Sequence, residues 1–477
     1  DTANNRILTF DVTSDNATTA THVLGQADFV TGTSGTTVAK LKNPIDISID
    51  DQGHMYVADT QNNRVIIYDS ITAITNGQDA VGGLGHTTSS YTFGSTSNFT
   101  ESGANSNADT YVNPYGFENP YGIAMDETGH RLFVSDFTNN RVLVFNLSNT
   151  NAINDYQADY VLGQSTFYSN SSGTSSTTLS GPQGIAYDTS NQLLYVADSS
   201  NNRVVVYNVA SITNGESAVN VLGQADLSSS SSGTTSATLN SPSYVAYDAT
   251  NSRLFVSDTA NGRVLVYDTT ILTNGEAAVN VLGQADFTTG TSTLSQSKMM
   301  FPHGIALDPS GNRLFVVEGL NSHRVLAFDV TPATIANGAN AIGLLGQANY
   351  GVGVTGTTAS TFNYPSPAVY DTSSNILFVG DSANHRVLAF DVATLTNGES
   401  AIGVFGQDDF TSSGTSVDQY GTSGPDGLYF DVTNRRLFVS SADGTTHRVG
   451  QFNLVSLPSQ SFSSGTVGAS YSQSITT

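Results

Sequence analysis

A short apolar motif that begins with proline and ends with aspartate recurs seven times along the chain. Its copies are PIDISID (44–50), PYGIAMD (120–126), PQGIAYD (182–188), PSYVAYD (242–248), PHGIALD (302–308), PSPAVYD (365–371) and PDGLYFD (425–431). Successive copies start 76, 62, 60, 60, 63 and 60 residues apart. Such a period is typical of a repeat architecture, so the 477 residues favour one array over the three domains that length alone suggests.

Three further apolar runs follow each copy of the motif. The second run has the form RLFVSD, the third the form NRVLVF, and the fourth ends in VLGQ or a close variant. The runs are short, rich in β-branched and aromatic residues, and bounded by Asn, Asp, Gly and Ser, which is typical of strands joined by turns. We therefore predict an all-β fold, a seven-bladed β-propeller of four-stranded antiparallel blades with the first strand innermost.

The runs P-x-G-I-A-x-D, L-F-V-S-D and N-N-R-V-L-V-F together resemble the NHL repeat of β-propellers over roughly residues 1–454. The unit is longer than the usual propeller repeat, with extra residues between the third and fourth strands and before the next inner strand. The tail contains G-x-V-G-x-x-Y-S-Q, which resembles the opening of a bacterial Ig-like domain. The predicted domains are therefore an NHL-like propeller at 1–456 and, at 457–477, a linker or the truncated start of such an Ig-like domain.

The third strand has eight copies, one more than each other strand. The surplus copy is NRILTFDV at 5–12. Propellers are commonly closed by an N-terminal strand that completes the last blade, and we predict that closure here. Either the run at 5–12 or the one at 447–454 is then displaced, and the sequence leaves both alternatives open.

An acidic residue precedes the arginine of the third strand by five positions in most repeats. This spacing favours structural Asp–Arg pairs over a ring of ligand-binding arginines, because a binding site rarely needs one copy in every blade. The predicted pairs are Asp59–Arg64, Asp136–Arg141, Asp198–Arg203, Asp258–Arg263 and Asp381–Arg386, with relatives at Asp1–Arg6, Glu318–Arg324 and Asp443–Arg448.

No catalytic metal site is predicted from the eight histidines. His323, His385 and His447 each precede the repeat arginine where other copies have Asn, so they are interpreted as Asn substitutes in separate blades. The aspartates that end the inner strands are expected to cap turns, although a structural calcium ion is compatible with so acidic a chain. No cofactor is otherwise expected.

The residues that follow each repeat proline vary between copies, and we expect them at one mouth of the channel. Binding residues are commonly carried on a rigid scaffold at positions of this kind. The predicted ligand-binding residues are Asp46, Tyr121, Gln183, Tyr244, His303 and Asp426. The long insertion VNPYGFENPYG at 112–122 is a second candidate contact, and drift without function is the alternative for both.

Composition excludes several partners. The formal net charge is −24 with only three lysines, which argues against nucleic acid and anionic membrane surfaces. There is no cysteine. The Ser- and Thr-rich loops favour an extracellular or cell-surface prokaryotic protein, with N-glycosylation sequons at Asn16, Asn98, Asn146 and Asn170.

These features favour a non-enzymatic extracellular scaffold or adhesion propeller. It would bind protein or glycan through its loops and could assemble with copies of itself through a surplus terminal strand. The alternative is a metal-assisted lyase or hydrolase with its site at the channel mouth. It needs several side chains converging on one ion.

Overall fold

The computed structural model describes residues 6–10, 20–29, 33–69, 71–85, 102–106, 111–291, 293–308, 310, 312–415, 421–422, 424–443 and 446–453. Within these ranges the chain forms 29 β-strands and a few single turns of 3-10 helix. No helix in the described part of the chain has the length and apolar character needed to cross a membrane.

Six consecutive repeats each form a four-stranded antiparallel blade whose strands follow chain order from the centre outward. Blade one contains β3 (Pro44–Ile49), β4 (Met55–Asp59), β5 (Arg64–Tyr68) and β6 (Gly82–Leu84); blade two contains β7 (Pro120–Asp126), β8 (Arg131–Asp136), β9 (Arg141–Asn146) and β10 (Tyr160–Leu162). Blade three contains β11 (Pro182–Asp188), β12 (Leu193–Asp198), β13 (Arg203–Asn208) and β14 (Asn220–Leu222); blade four contains β15 (Pro242–Asp248), β16 (Arg253–Asp258), β17 (Arg263–Asp268) and β18 (Asn280–Leu282). Blade five contains β19 (Pro302–Asp308), β20 (Arg313–Glu318), β21 (Arg324–Asp329) and β22 (Gly343–Leu345); blade six contains β23 (Pro365–Asp371), β24 (Ile376–Asp381), β25 (Arg386–Asp391) and β26 (Gly403–Phe405).

The last repeat forms a different sheet, which we call the closing sheet. It has five strands in the order β2 (Ala20–Leu24), β1 (Arg6–Phe10), β29 (Thr446–Asn453), β28 (Arg436–Asp443) and β27 (Pro425–Asp431). The prediction of seven four-stranded blades is therefore wrong: the structure has six, and two N-terminal strands rather than one complete the last sheet.

The surplus third strand explains this difference. β1 and β29 carry equivalent third-strand sequences and lie side by side in parallel, with Arg6 opposite Arg448 and Ile7 opposite Val449. β1 then pairs antiparallel with β2, as the third and fourth strands of the blades do. Neither copy is displaced, contrary to both sequence alternatives, because the sheet accommodates the two third strands by widening from four strands to five.

The inner strands form a closed ring around a central channel. Each of β3, β7, β11, β15, β19 and β23 contacts the next, and β27 contacts β3. The second and third strands of the blades are almost completely buried, because each blade packs its two faces against its neighbours. The inner strands are only partly buried, which leaves some of their side chains facing the channel.

The extra residues between the third and fourth strands cover the outer edge of the preceding blade. In four described repeats an Asn side chain from this segment accepts a hydrogen bond from the first valine of the neighbouring fourth strand, or of β2, at 3.0 Å: Asn76 from Val23, Asn214 from Val161, Asn274 from Val221 and Asn337 from Val281. An uncovered sheet edge invites pairing with another chain, so these caps protect the propeller rim.

Single turns of 3-10 helix separate the second and third strands in several blades. They are Thr60–Asn62, Ser199–Asn201, Thr259–Asn261 and Ser382–Asn384, and two more occur at Ile71–Ala73 and Ala104–Ser106. The residue after each of the first four has a left-handed backbone, with φ of 52° at Asn63, 54° at Asn202, 60° at Gly262 and 56° at His385. Asn and Gly tolerate this conformation best, which accounts for the residue type that recurs there.

Candidate functional site

A cavity of about 520 Å³ lies at one mouth of the central channel. Its lining residues come from the start of the inner strands and from the turn region of blade six: Ile45, Tyr121, Tyr244, His303, Tyr364, Ser366, Ser382, Ala383, His385, Gly424 and Asp426. A smaller cavity of about 60 Å³ shares Ile45, Tyr121 and Tyr244 with it and adds Asp46.

The structure thus brings five of the six residues predicted at the channel mouth to these two connected cavities. Tyr121, Tyr244, His303 and Asp426 line the larger one, and Asp46 lines the smaller one. Gln183 lines neither cavity, although it directly follows its repeat proline, as Tyr121 and His303 do. Its backbone carbonyl instead accepts a hydrogen bond at 2.9 Å from the Ser135 hydroxyl of blade two.

The second residue after the repeat proline is glycine in four copies because the inner strands approach one another closely there. A Cβ atom on Gly122 would lie 2.8 Å from the Gln183 carbonyl oxygen, and one on Gly184 would lie 2.8 Å from that of Ser243. The other three copies depart from this rule, with Asp46 in blade one, Tyr244 in blade four and Pro367 in blade six. The departures in blades one and four place polar side chains at the mouth of the channel.

Asp46 is held between two inner strands. Its Oδ1 accepts a hydrogen bond at 2.9 Å from the Ile47 N–H, and its Oδ2 accepts one at 2.8 Å from the Ile123 N–H of blade two. Burial raises the pKa of Asp46 to about 6, and the two backbone hydrogen bonds only partly oppose this rise. At neutral pH the group is therefore a carboxylate that is costly to bury.

Tyr121 and Tyr244 lie close enough to Asp46 and Asp426 to interact with their charges, and both tyrosines are neutral. Burial raises the pKa of Tyr121 and of Tyr244, and the charges of Asp46 and Asp426 raise both further. The Tyr244 ring lies 5.8 Å from the His303 ring, measured between centroids. Burial lowers the pKa of His303, which favours its uncharged form. The mouth is consequently aromatic and acidic.

Sequence reasoning missed the contribution of blade six to this cavity. His385 lines it, although its position suggested only a turn residue. The turn role is also present, since His385 Nδ1 accepts a hydrogen bond at 3.1 Å from the Gly424 N–H. Asn140 and Asn202 accept the equivalent bonds in blades two and three through their side-chain oxygens. Tyr364 carries no repeat signal, so only the fold could place it here.

The Asp–Arg pairs lie in the interior rather than at the mouth. In blades one to six the acidic oxygen lies 2.5–2.7 Å from the arginine Nε, and both side chains are almost fully buried. Asp1 and the side chains of Asp443 and Arg448 lie outside the described residues.

Each buried arginine also binds the long loops that lengthen the repeat. Arg203, for example, donates to the carbonyls of Thr174, Ser175, Thr178 and Leu227 at 2.6–3.2 Å. The Gln of the VLGQ run acts similarly, because Gln nitrogens donate to loop carbonyls in the same region of several blades. These groups therefore fix loops and are not available to a ligand.

A second row of ion pairs was not predicted. Arg131, Arg253 and Arg313, which begin second strands, pair at 2.5–2.8 Å with the aspartates that end the preceding inner strands. Each also donates to a backbone carbonyl of the following blade. The signal was visible as a five-residue Asp-to-Arg spacing in the hairpins DETGHR and DATNSR.

Other inner-strand aspartates cap their hairpin turns. Asp188 Oδ1 accepts hydrogen bonds from the Ser190 and Asn191 N–H groups at 2.9 and 3.2 Å. In the part of the chain that the structure describes, no group of three or more His, Asp or Glu side chains converges as metal ligands would.

The opposite end of the channel holds a second cavity of about 500 Å³ with acidic walls. Asp51 and Glu127 face one another there, and the Asn151 side-chain amide donates to both, at 3.1 and 2.7 Å. Burial raises the pKa of Glu127 to about 7, with the charges of Asp51 and Asp50 adding to the rise. Glu127 therefore titrates near neutral pH.

The remaining candidates are the glycosylation sequons and the long insertion. Asn146 ends β9 with its side chain exposed, and Asn170 is also exposed. Asn16 and Asn98 lie outside the described residues. The insertion at 112–122 is largely packed inward, with Phe117 fully buried and the Asn113 carbonyl accepting a hydrogen bond from Arg141 at 3.1 Å.

The NHL repeat model matches the chain at residues 41–68 and 179–207. These segments contain the first three strands of blades one and three, so the matched sequence coincides with the conserved geometry of the blade. The comparison with curated proteins found no match. The described fold is thus a β-propeller with repeats similar to the NHL repeat, and this similarity suggests a protein-binding scaffold.

Proposed function

We propose that the protein is a binding scaffold whose channel-mouth cavity accepts a segment of a partner protein. One observation carries the proposal. The recurring acidic and arginine side chains of blades one to six form internal ion pairs, whereas Tyr121, Tyr244, His303 and Asp426, which differ between blades, line one cavity of about 520 Å³. A repeat scaffold that presents a single non-repeating surface is suited to recognition.

The cavity has the composition of a recognition surface. Tyr121, Tyr244 and Tyr364 supply aromatic area, and Tyr side chains are enriched among the residues that carry most binding energy at interfaces. Ser366 and Ser382 add hydroxyl groups at the edge towards blade six. The lining residues come from the inner strands, from the turn of blade six and from the segment that precedes β27, so a peptide bound there could contact several blades.

Selection from a displayed library of random twelve-residue peptides tests this proposal. The folded wild-type chain should enrich peptides whose binding is lost in Tyr121→Gln, which gives blade two the residue that blade three has at Gln183. Tyr168→Ala is the matched control, because Tyr168 is 73% exposed and does not line the cavity. Failure to enrich any peptide, or equal loss in both variants, contradicts the proposal.

A glycan ligand is the competing outcome. Aromatic and hydroxyl side chains also bind sugars, so a glycan array is probed in parallel with the same two variants. Binding of a glycan that depends on Tyr121, together with no peptide enrichment, would replace protein recognition by carbohydrate recognition at the same cavity.

We also propose that the protein works outside the cell or on its surface. The support is compositional, namely Ser- and Thr-rich loops and few lysines, together with the two exposed sequons at Asn146 and Asn170. Protease treatment of intact cells of the native source should remove the protein, whereas a cytosolic marker should survive. Protection of both would refute this location.

No cofactor forms part of the proposal, and elemental analysis of the purified protein tests that directly. Assembly through a surplus terminal strand is not included either. Both copies of the third strand, β1 and β29, pair with one another inside the closing sheet. Neither is left over to pair with another molecule.

A further inference from the structure

We propose that the channel-mouth cavity recognises an organic cation, namely a lysine or arginine side chain or a free amino terminus of the bound peptide. This inference rests on the proposed function and specifies its ligand chemistry. It follows from the carboxylates at the mouth, the absence of Lys and Arg among the described lining residues, and the aromatic walls.

Two carboxylates act on the same pair of tyrosines. Asp46 and Asp426 both interact electrostatically with Tyr121 and with Tyr244, so their negative charges bear on one small region of the channel mouth. The two groups belong to neighbouring inner strands, β3 and β27, which contact each other. A ligand entering between the tyrosines therefore meets negative potential from two sides.

Nothing among the described lining residues supplies a permanent positive charge. The cavity has no Lys or Arg in its described walls, and its two basic groups are His303 and His385. Burial lowers the pKa of His303. The Nδ1 atom of His385 accepts a hydrogen bond from the Gly424 N–H, so that nitrogen carries no proton. A cation can therefore enter without meeting repulsion from a fixed charge.

The aromatic walls suit the same ligand. Tyr121, Tyr244 and Tyr364 line the cavity, and the face of a neutral tyrosine ring attracts an ammonium or guanidinium group. Tyr121 and Tyr244 keep their protons because burial and the nearby carboxylates raise the pKa of each. A lysine or arginine stem can pack against the rings while its charged end approaches the carboxylates.

Asp46 supplies an independent argument. Four of the seven repeats have glycine at its position, so the fold itself does not require a carboxylate there. Burial penalises the Asp46 charge in the free protein. A positive ligand offsets that penalty, and a neutral one does not. The net charge of −24 further raises the local concentration of cations around the molecule.

The test measures binding of acetylated, amidated peptides of sequence Gly-Ser-X-Ser-Gly to the full chain. Binding is monitored by ligand-observed NMR in physiological salt. X is lysine, arginine, norleucine or citrulline, the last two being neutral analogues. The lysine or arginine peptide should bind at least about tenfold more tightly than its neutral analogue, the range expected for a cation held by aromatic rings. A non-acetylated Gly-Ser-Gly-Ser-Gly peptide tests the amino terminus separately.

Charge-matched variants locate the effect. Asp426→Asn should remove most of the preference for the cation, whereas Asp226→Asn, which loses the same charge on an exposed loop, should leave it unchanged. Asp46→Gly restores the common repeat residue and should act like Asp426→Asn. If it fails to fold, as judged by circular dichroism, Asp426→Asn alone decides the matter.

Two results overturn the inference. One is equal binding of charged and neutral peptides, and the other is an equal effect of Asp426→Asn and Asp226→Asn. If neutral peptides bind and Tyr121→Gln abolishes their binding, the peptide scaffold stands and the cation does not. If neither the peptides of the displayed library nor the short peptides bind, both the cation inference and the proposed function fail.

Discussion

Replacement of Arg263 by methionine should destabilise the propeller strongly, because this side chain connects a buried charge with two long loops. Its Nε donates to Asp258 at 2.6 Å, and both groups are completely buried. Its Nη1 donates to the carbonyls of Thr234 and Phe287, and its Nη2 to those of Thr235 and Thr238, at 2.6–3.0 Å. Methionine fills similar space but donates no hydrogen bond.

The expected loss is about 3–5 kcal/mol of unfolding free energy, the usual cost of removing one partner of a buried ion pair. The Asp258 carboxylate keeps hydrogen bonds from the Asn261 side chain and the Asn240 N–H, at 2.8 and 2.6 Å, but loses its counter-charge. Burial already raises the pKa of Asp258, and removal of Arg263 raises it further. The folded variant then binds a proton more readily than the unfolded chain, so its defect should shrink as the pH falls.

Urea denaturation at pH 8 and pH 5, followed by intrinsic fluorescence, measures these effects. Hydrogen exchange should accelerate at residues 234–238 and around 287, where the loops lose their anchor. Arg435→Met is the matched control. Arg435 pairs with Asp371 at 2.7 Å but remains 24% exposed, so its loss should cost less. An unfolding free energy of Arg263→Met within about 1 kcal/mol of wild type would refute the structural role of the pair.

Three further predictions concern stability. Burial raises the pKa of Glu127 to about 7, so the native state binds more protons than the unfolded chain between about pH 4.5 and 7. The unfolding free energy should therefore fall as the pH rises through that window. Glu127→Gln should reduce this pH dependence, as measured by urea denaturation at a series of pH values. Gly184→Ala should cost about 1–3 kcal/mol in thermal or urea unfolding, because its Cβ would lie 2.8 Å from a carbonyl oxygen of the next inner strand, whereas Gly414→Ala, with nothing within 4 Å, should be neutral. Asn274→Ala should lower the unfolding free energy by about 1–3 kcal/mol and speed hydrogen exchange of the Val221 amide, because that N–H on the blade rim loses its acceptor. Unchanged exchange at Val221 would contradict the edge-capping role.

The repeat period allowed much of the fold to be predicted, because spacing and apolar runs are local properties. Four runs per repeat and the Asp-to-Arg spacing led to antiparallel four-stranded blades with internal charges. The count of blades was wrong because strand pairing at the closure is a competition between distant segments. Equivalent sequences at 5–12 and 447–454 give no local signal that they lie side by side.

The channel mouth was predictable in part for the same reason. Tyr121, His303 and Asp426 directly follow the repeat proline, and Asp46 and Tyr244 stand one residue later, so a ring of inner strands must bring them near one another. Gln183 has the same repeat position as Tyr121 but lines neither cavity, which shows that position in the repeat is not sufficient.

The amino-acid sequence by itself determined the blade, since the spacing of proline, aspartate, arginine and apolar runs dictates which strands pair locally. Only the tertiary structure decided the widened closing sheet, the joining of His385 and Tyr364 to the channel mouth, and the four asparagine caps between neighbouring rims. The physical reason is that these contacts link residues far apart in the chain. Their energies depend on packing between blades, which no local pattern encodes.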